Sequence, residues 1–237
     1  MIAFLKVIIY TPLYNILIVL LNIPYFDAGI AVVVLTVLVK ALLFPLSKKA
    51  TITQIKMKEA SQELNEIKEK YKDRETQAVK VMEFYRKHQI NPFSSIVGIV
   101  IQIPLVYSLY HIFLYSGLPV VDTKLLYSFI KVPQVSMNFL GLWDISQKSV
   151  IFALLAAVSS FWQMHFSTKD NKASNGNKAE DMSAMMAKQM KYTFPAIVFF
   201  ISWKISAVVA LYWLVSNLAG IAQDYYIKKR VLANPLA

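Results

Sequence analysis

Of 237 residues 57% are hydrophobic and the mean hydropathy is +0.47, which excludes an ordinary soluble domain and makes the bilayer the expected solvent. Cysteine is absent, so disulfides, thiolate metal sites and cysteine nucleophiles are excluded as well. The formal charge of +11 gathers between the apolar runs, where it points to anionic lipid headgroups first and ribosomal RNA second, with no motif that reads DNA.

Residues 1–27 are mostly apolar, and Thr11, Asn15 and Asn22 fall along one side of a helix that Thr11-Pro12 starts well. The pattern predicts an amphipathic helix lying at the outer interface, with a signal peptide and a sixth span as its rivals. The run 28–46 is long enough to cross about 30 Å of hydrocarbon. After it, 47–93 carries eleven Lys and Arg residues. Apolar steps at Ala60, Leu64, Ile67 and Tyr71, then at Ala78, Met82 and Tyr85, predict two antiparallel helices broken at Lys72-Asp73-Arg74. Glu66 and Lys70 are spaced as a favourable pair on the first of them. Such a hairpin is either a solvated connector or a docking arm.

Runs at 95–115, 149–166 and 206–226 are further candidate spans. The stretch 192–204 is short for one and is expected to form a tight hairpin with 206–226, turning at Trp203-Lys204-Ile205-Ser206. The outer segment 116–148 holds Lys124, Lys131 and Lys148, whereas 167–191 holds five lysines and, through 167–181, no apolar periodicity. A flexible loop is expected there. Met182, Met185, Met186 and Met190 then fall on one helical face, expected to rest on lipid rather than on substrate. Basic residues place 47–93, 167–191 and the tail 227–237 in the cytoplasm and 116–148 outside. The expected fold is an all-α membrane protein. It has five transmembrane helices, drawn from 28–46 and 95–226, an N-terminal interfacial helix and a cytoplasmic helical hairpin.

Several polar residues lie inside those runs. Lys40, with Thr36 one turn earlier, Gln102, Ser159 and Ser160, and Ser216 and Asn217 all fall roughly 9 to 15 Å from the cytoplasmic boundary by helical rise. Lys40 alone could snorkel to the interface. Polar groups from four helices at one level are better explained by a wet groove open to the cytoplasm and closed outside. His111 and Ser202 lie nearer the outside, and His111 is expected to be interfacial or satisfied. His88, His111 and His165 match no metal-binding spacing, no carboxylate lies mid-span, and no phosphate-binding loop is present. No metal, cofactor or catalytic residue is therefore expected.

Four stretches resemble the YidC/Oxa/Alb membrane protein insertase family, in order and spacing, over about residues 10 to 230. They are Gly29-Ile30-Ala31 continuing to Lys40-Ala41-Leu42-Leu43-Phe44-Pro45-Leu46, His88-Gln89-Ile90-Asn91-Pro92-Phe93 with Ile101-Gln102-Ile103-Pro104-Leu105, Phe139-Leu140-Gly141-Leu142-Trp143-Asp144, and Leu211-Tyr212-Trp213-Leu214-Val215-Ser216-Asn217-Leu218. The resemblance implies a bacterial, short form without the large outer domain or long basic tail of other members. It also implies groove roles for Lys40, Thr36, Gln102 and Tyr212. Most bacterial members have Arg where this chain has Lys40, so the charge is kept while the planar fork is lost.

The function expected is an insertase or chaperone that shelters nascent membrane proteins in the groove and releases their apolar helices sideways into the lipid bilayer. No nucleotide is hydrolysed, and the ribosome, a signal-recognition receptor and a Sec translocon are open as partners. A small transporter or channel is the alternative, but it needs a polar path through both leaflets or inverted repeats. An intramembrane enzyme would need a nucleophile, base and acid at usable depth, and the sequence offers none.

Overall fold

The computed structural model describes residues 6–91, 94–114, 118–168 and 178–233, without the side chains of 58, 94–102, 114, 168, 178–188, 232 and 233. The groove candidate Gln102 and three of the four face-forming methionines therefore lie outside the described side chains. The chain divides into two units, Met1–Leu42 with Gln102–Ala222 and Leu43–Ile101 with Gln223–Ala237.

In the first unit a π-helical turn, Lys6–Tyr10, leads into α1 (Thr11–Leu21), with Pro12 in the first turn where its missing N–H costs nothing. Leu13, Tyr14, Leu17, Ile18 and Leu21 bury one face of α1, which packs against α2 (Ala28–Leu42) and its Ala28, Ala31, Val32 and Leu35. Of the polar residues Thr11, Asn15 and Asn22, one is turned inward. Asn15 is 2% exposed. Its amide donates to Leu125 O (2.9 Å) and its carbonyl oxygen accepts from Tyr127 N–H (2.8 Å). Asn22 donates to Lys131 O (2.8 Å), and the Tyr14 hydroxyl accepts from Asp122 N–H (2.7 Å). These residues hold the backbone of 122–131, which has too little regular structure to satisfy itself.

That segment contains a 3₁₀ turn, Thr123–Leu125, and a two-stranded hairpin of β1 (Asn138–Phe139) and β2 (Trp143–Asp144), a small departure from an all-helical chain. Asp27 fixes the hairpin to α2. One carboxylate oxygen caps the helix at Ile30 N–H (2.8 Å) and the other accepts from Leu140 N–H (2.9 Å). Leu140 sits at φ 53°, a left-handed conformation that costs a leucine about 1–2 kcal/mol and persists where a partner holds it. Gly29 lies directly beneath, since a Cβ there would be 2.2 Å from Phe139 Cδ2.

The run expected at 28–46 as one span is broken. Pro45 lacks an N–H for Ala41 O and its ring clashes there, so α2 ends at Leu42 and α3 (Phe44–Glu59) begins anew. The remaining helices are α4 (Ser61–Lys70), α5 (Arg74–Lys87), α6 (Ser94–Leu114), α7 (Val150–Thr168), α8 (Lys178–Lys204) and α9 (Ala207–Ala233). Within the loop expected over 167–191, α8 already runs from Lys178, because its Ala and Met residues are good helix formers. The turn at 205–206 falls where expected, and α8 packs along α7. The start of α9 is held elsewhere, with Ala207 N–H on Gln147 O (2.8 Å) and Val208 N–H on Ile145 O (3.1 Å). Among the described residues, α7 and α9 are each long and apolar enough to cross a membrane, and α2 with α3 makes a third if the broken pair is one span.

In the second unit α4 and α5 form the expected hairpin. Asp73 caps α5 through Thr76 N–H (2.9 Å), and Gln77 donates to Lys68 O (2.8 Å) and Tyr71 O (2.7 Å) across the turn. The seam keeps the expected Ala60, Leu64, Ile67 and Tyr85, and differs in the second arm, where Phe84 and Val81 stand in place of Ala78 and Met82. Its buried residues are Leu64, Phe84 and Ile90, flanked by Met57, Ala60, Ile67, Val81 and Tyr85, while Met82 is 56% exposed. The aromatic Phe84 buries more apolar area than Met82 could and so sets the phase of α5.

Instead of the expected Glu66–Lys70 pair, Glu63 bridges the two arms, 2.7 Å from Lys87 Nζ and 2.7 Å from His88 Nε2. The Lys87 ammonium, with the His88 ring, holds the Glu63 carboxyl below the usual carboxylate range, and the Thr76 amide does the same for Asp73. Carboxyls depressed on folding stabilise above their ordinary range and cease to as pH falls through their lowered values. The hairpin is therefore expected to stay closed at neutral pH and to loosen in acid, read as faster amide exchange over 61–87. Glu63→Gln should flatten much of that pH dependence, and an unchanged profile would assign the loosening to other groups.

Candidate functional site

The residues expected to line a groove come from α2, α6, α7 and α9. Thr36, Ser159, Ser160, Tyr212, Ser216 and Asn217 are all between 1 and 5% exposed. A polar group shielded to that degree needs a partner inside the protein.

Three of these residues share one set of bonds. Asn217 on α9 donates from Nδ2 to Ser159 Oγ (2.9 Å) and Ser160 Oγ (2.7 Å) on α7, and lies 3.4 Å from Ala156 O. Both hydroxyls pass their own protons to Ala156 O, at 2.9 and 2.8 Å. One main-chain carbonyl thus collects the donors of a small polar knot. Small residues at a four-residue spacing, Ala156 and Ser160 on one helix and Ser216 and Gly220 on the other, let the backbones approach this closely. A Cβ on Gly220 would sit 2.5 Å from Gln163 Nε2. Gln163 and Gly220 are absent from the sequence-derived set, although the spacing of Ser216 and Gly220 was a readable sign of close helix packing. Asn217 meets Ala156, Ser159 and Ser160, and Gly220 meets Gln163, so the contacts advance in the same direction along both helices. Helices α7 and α9 are therefore parallel.

Hydrogen bonds between helices in an apolar setting contribute about 0.6 to 2 kcal/mol each. Asn217→Ala is expected to lower stability by about that much, read by reversible unfolding in mixed micelles. Adding Ser159→Ala and Ser160→Ala should then cost little more, because the donor that joined them to α9 is already gone. Fully additive losses would show that the three residues do not act as one group.

Thr36 is satisfied differently, its hydroxyl donating to Val32 O of its own helix at 2.6 Å. Lys40 follows one turn later on the same face and is half-buried. Tyr212 and Ser216 share α9 with Asn217 and are buried. At the cytoplasmic end expected for α7, Lys191 Nζ lies 2.7 Å from His165 Nδ1 and 5.3 Å from the Phe161 ring centroid, which ties α8 to α7. In the second unit Thr51 donates to Asp224 (2.9 Å). Neither link was predictable from spacing, because each joins residues far apart in the chain. His111 packs between Tyr10 and Tyr107, at 5.6 and 5.7 Å between ring centroids.

The family model described as 60Kd inner membrane protein matches residues 12–234. A membrane protein insertase YidC of Fusobacterium nucleatum is 32% identical over 203 residues, covering 85% of this chain and 86% of that protein. Proteins of the same name from Burkholderia cenocepacia and Hahella chejuensis are 33% and 32% identical over 206 and 212 residues. The chain spans about a third of the length of those two longer relatives.

Proposed function

The chain belongs to the 60Kd inner membrane protein family, the YidC/Oxa/Alb group of bacterial membrane proteins, and from that premise we propose that it is a membrane protein insertase. The supporting observation in the fold is the set of hydroxyl and amide groups of Ser159, Ser160 and Asn217, placed inside two apolar helices and close to one level. The parallel course of α7 and α9 supports it further, because α8 then returns between them as alternating spans require.

The proposed arrangement has five spans, with the hairpin of α4 and α5 and the tail on the cytoplasmic side. Residues Thr36, Lys40, Gln102, Ser159, Ser160, Tyr212, Ser216 and Asn217 line a groove reached from the cytoplasm. A hydrophilic segment entering hydrocarbon loses several kcal/mol for each unpaired backbone group. Hydroxyls and an amide that exchange their mutual bonds for bonds to the incoming chain reduce that loss. A half-depth groove also shortens the apolar path that remains, and Lys40 attracts acidic residues flanking the incoming helix. The substrate's apolar stretch then leaves sideways into lipid. Nascent membrane proteins and the bilayer are the partners this requires. The hairpin is the surface available to a ribosome, a signal-recognition receptor or a Sec translocon, and the scheme contains no covalent step and no cofactor.

Reconstituted alone into proteoliposomes, the protein should give protease-protected insertion of a single-span test protein. Accumulation of a small solute without insertion would favour a transporter instead. The chain has no native cysteine, so single cysteines report cleanly on water access. A water-soluble maleimide added from the cytoplasmic side should label position 40 readily and positions 36 and 217 slowly, at the rate at which the shielded knot opens. No labelling at any of the three would mean a dry, closed core and would remove the groove.

A further inference from the structure

A second polar site lies away from the groove residues, where the outer end of α6, the segment 146–148 and the turn between α8 and α9 meet. Tyr110, Ser146, Gln147, Lys148, Lys204, Ile205 and Ser206 line a pocket of about 390 Å³. Two ammonium groups line it and no carboxylate does. Among the described residues neither Lys148 nor Lys204 has a carboxylate within 4.0 Å.

The start of α9 leaves Ser206 with unusual freedom. Its position just before the helix is one where a serine hydroxyl ordinarily accepts from the first amides. Here those amides are taken by main-chain oxygens: Ala207 N–H by Gln147, Val208 N–H by Ile145, and Val209 N–H by the Ser206 carbonyl (3.1 Å). The Ser206 hydroxyl, on a residue 4% exposed, is left buried with no hydrogen-bond partner among the described residues. A buried hydroxyl without a partner is a deficit that a ligand oxygen would satisfy. The positive end of the 27-residue α9 points the same way as the two lysines, toward an anion.

The surroundings say which anion. Tyr107, Ile151, Ile201 and Trp203, each within four residues of a lining residue in the chain, are large apolar side chains exposed by 40 to 60%, as suits acyl chains and the interface. We propose that this pocket binds the phosphate of an anionic phospholipid in the outer leaflet, with Lys148 and Lys204 pairing the charge and Ser206 donating to a phosphate oxygen. Phosphatidylglycerol fits, because its glycerol hydroxyls meet Gln147 and Tyr110 without adding a cation. Phosphatidylethanolamine brings an ammonium into a site that already holds two. The proposal rests on the membrane reading above, with this turn at the outer surface.

The test uses the full chain, purified and transferred to nanodiscs of equal parts phosphatidylglycerol and phosphatidylethanolamine, with lipid retained on release read by native mass spectrometry. Phosphatidylglycerol should be retained over phosphatidylethanolamine by about tenfold, the scale expected for two interfacial cations. Lys148→Gln with Lys204→Gln should abolish that preference, Lys148→Arg with Lys204→Arg should keep it, and Ser206→Ala should weaken it about threefold, the loss of one hydrogen bond. Equal retention of both lipids by the unaltered protein, or an unchanged preference in the double Gln variant, would overturn the proposal. Displacement of the lipid by millimolar inorganic phosphate would also overturn it, by assigning the pocket to a free anion. Because no substrate protein is present, failure of insertion and failure of lipid retention are read separately.

Discussion

Replacing Lys40 by leucine is expected to reduce insertion of test proteins whose outer segments carry Asp or Glu by about tenfold, with little change for test proteins lacking those charges. The expectation follows from where Lys40 sits. It lies in the last turn of α2, is half-buried, and shares a face with Thr36, whose own hydroxyl is already occupied by Val32 O. The ammonium is the cation of that face, and its charge would attract a passing carboxylate. Two opposite charges about 4 Å apart near a protein surface attract by up to about 4 kcal/mol. Desolvation cancels much of that, and the tenfold effect requires about 1.4 kcal/mol to survive. Lys40→Arg keeps the charge and should retain most of the activity, with any gain measuring what a planar fork adds. Insertion rates of matched acidic and neutral test proteins check both variants, and equal rates for the leucine variant on the acidic set would remove the charge from the mechanism.

The largest structural loss is expected from Gly29→Val. Even an alanine Cβ would lie 2.2, 2.6 and 2.9 Å from Cδ2, Cγ and Cβ of Phe139, so the clash includes the root of the ring and rotation about the side chain cannot relieve it. The β-hairpin would have to lift. That movement strains the bonds from Leu140 N–H to Asp27 and from Ala28 N–H to Ser136 O (2.9 Å). Overpacking of this kind costs about 1 to 3 kcal/mol. The melting temperature in detergent should fall, and protease should reach 136–144 sooner. Phe139→Ala introduced together with Gly29→Ala should recover part of the loss, since the two side chains compete for one space. An unchanged melting temperature for Gly29→Ala would mean that the hairpin is not seated on α2.

Length and period made several elements legible before any coordinates. The apolar runs at 149–166 and 206–226 correspond to α7 and α9, and Lys72-Asp73-Arg74 marks the break between α4 and α5 because Asp73 is a natural cap. Depth was readable too, for Ser159, Ser160 and Asn217 fall near one level by counting residues, and they bond to one another. What counting could not provide was direction. Asn15 and Asn22 look the same in the sequence, yet Asn15 is buried against peptide groups of Leu125 and Tyr127 while Asn22 stays exposed as it reaches Lys131 O. Phe84 displaced Met82 from the hairpin seam because burial follows area, while the pattern weighs both residues alike. The break before Pro45 was available from the proline itself and was overridden by the length of the apolar run. Gly29 carried no sign of its role, since a glycine shows only that a side chain is missing and never what stands in the space.

The grip of α1 on the outer segment has a consequence for how this protein can change over time. Tyr14, Asn15 and Asn22 meet 122–131 at Asp122 N, Leu125 O, Tyr127 N and Lys131 O, atoms that nearly every amino acid supplies. The route of that strap is thus held from outside by three residues of α1 and its C-cap, with the Asp122 carboxylate, which accepts from Lys124 N–H (3.0 Å), as its own contribution. Positions held there through main-chain atoms alone would accept many side chains, and a proline at position 127, which lacks the N–H given to Asn15, is the replacement that would break the hold.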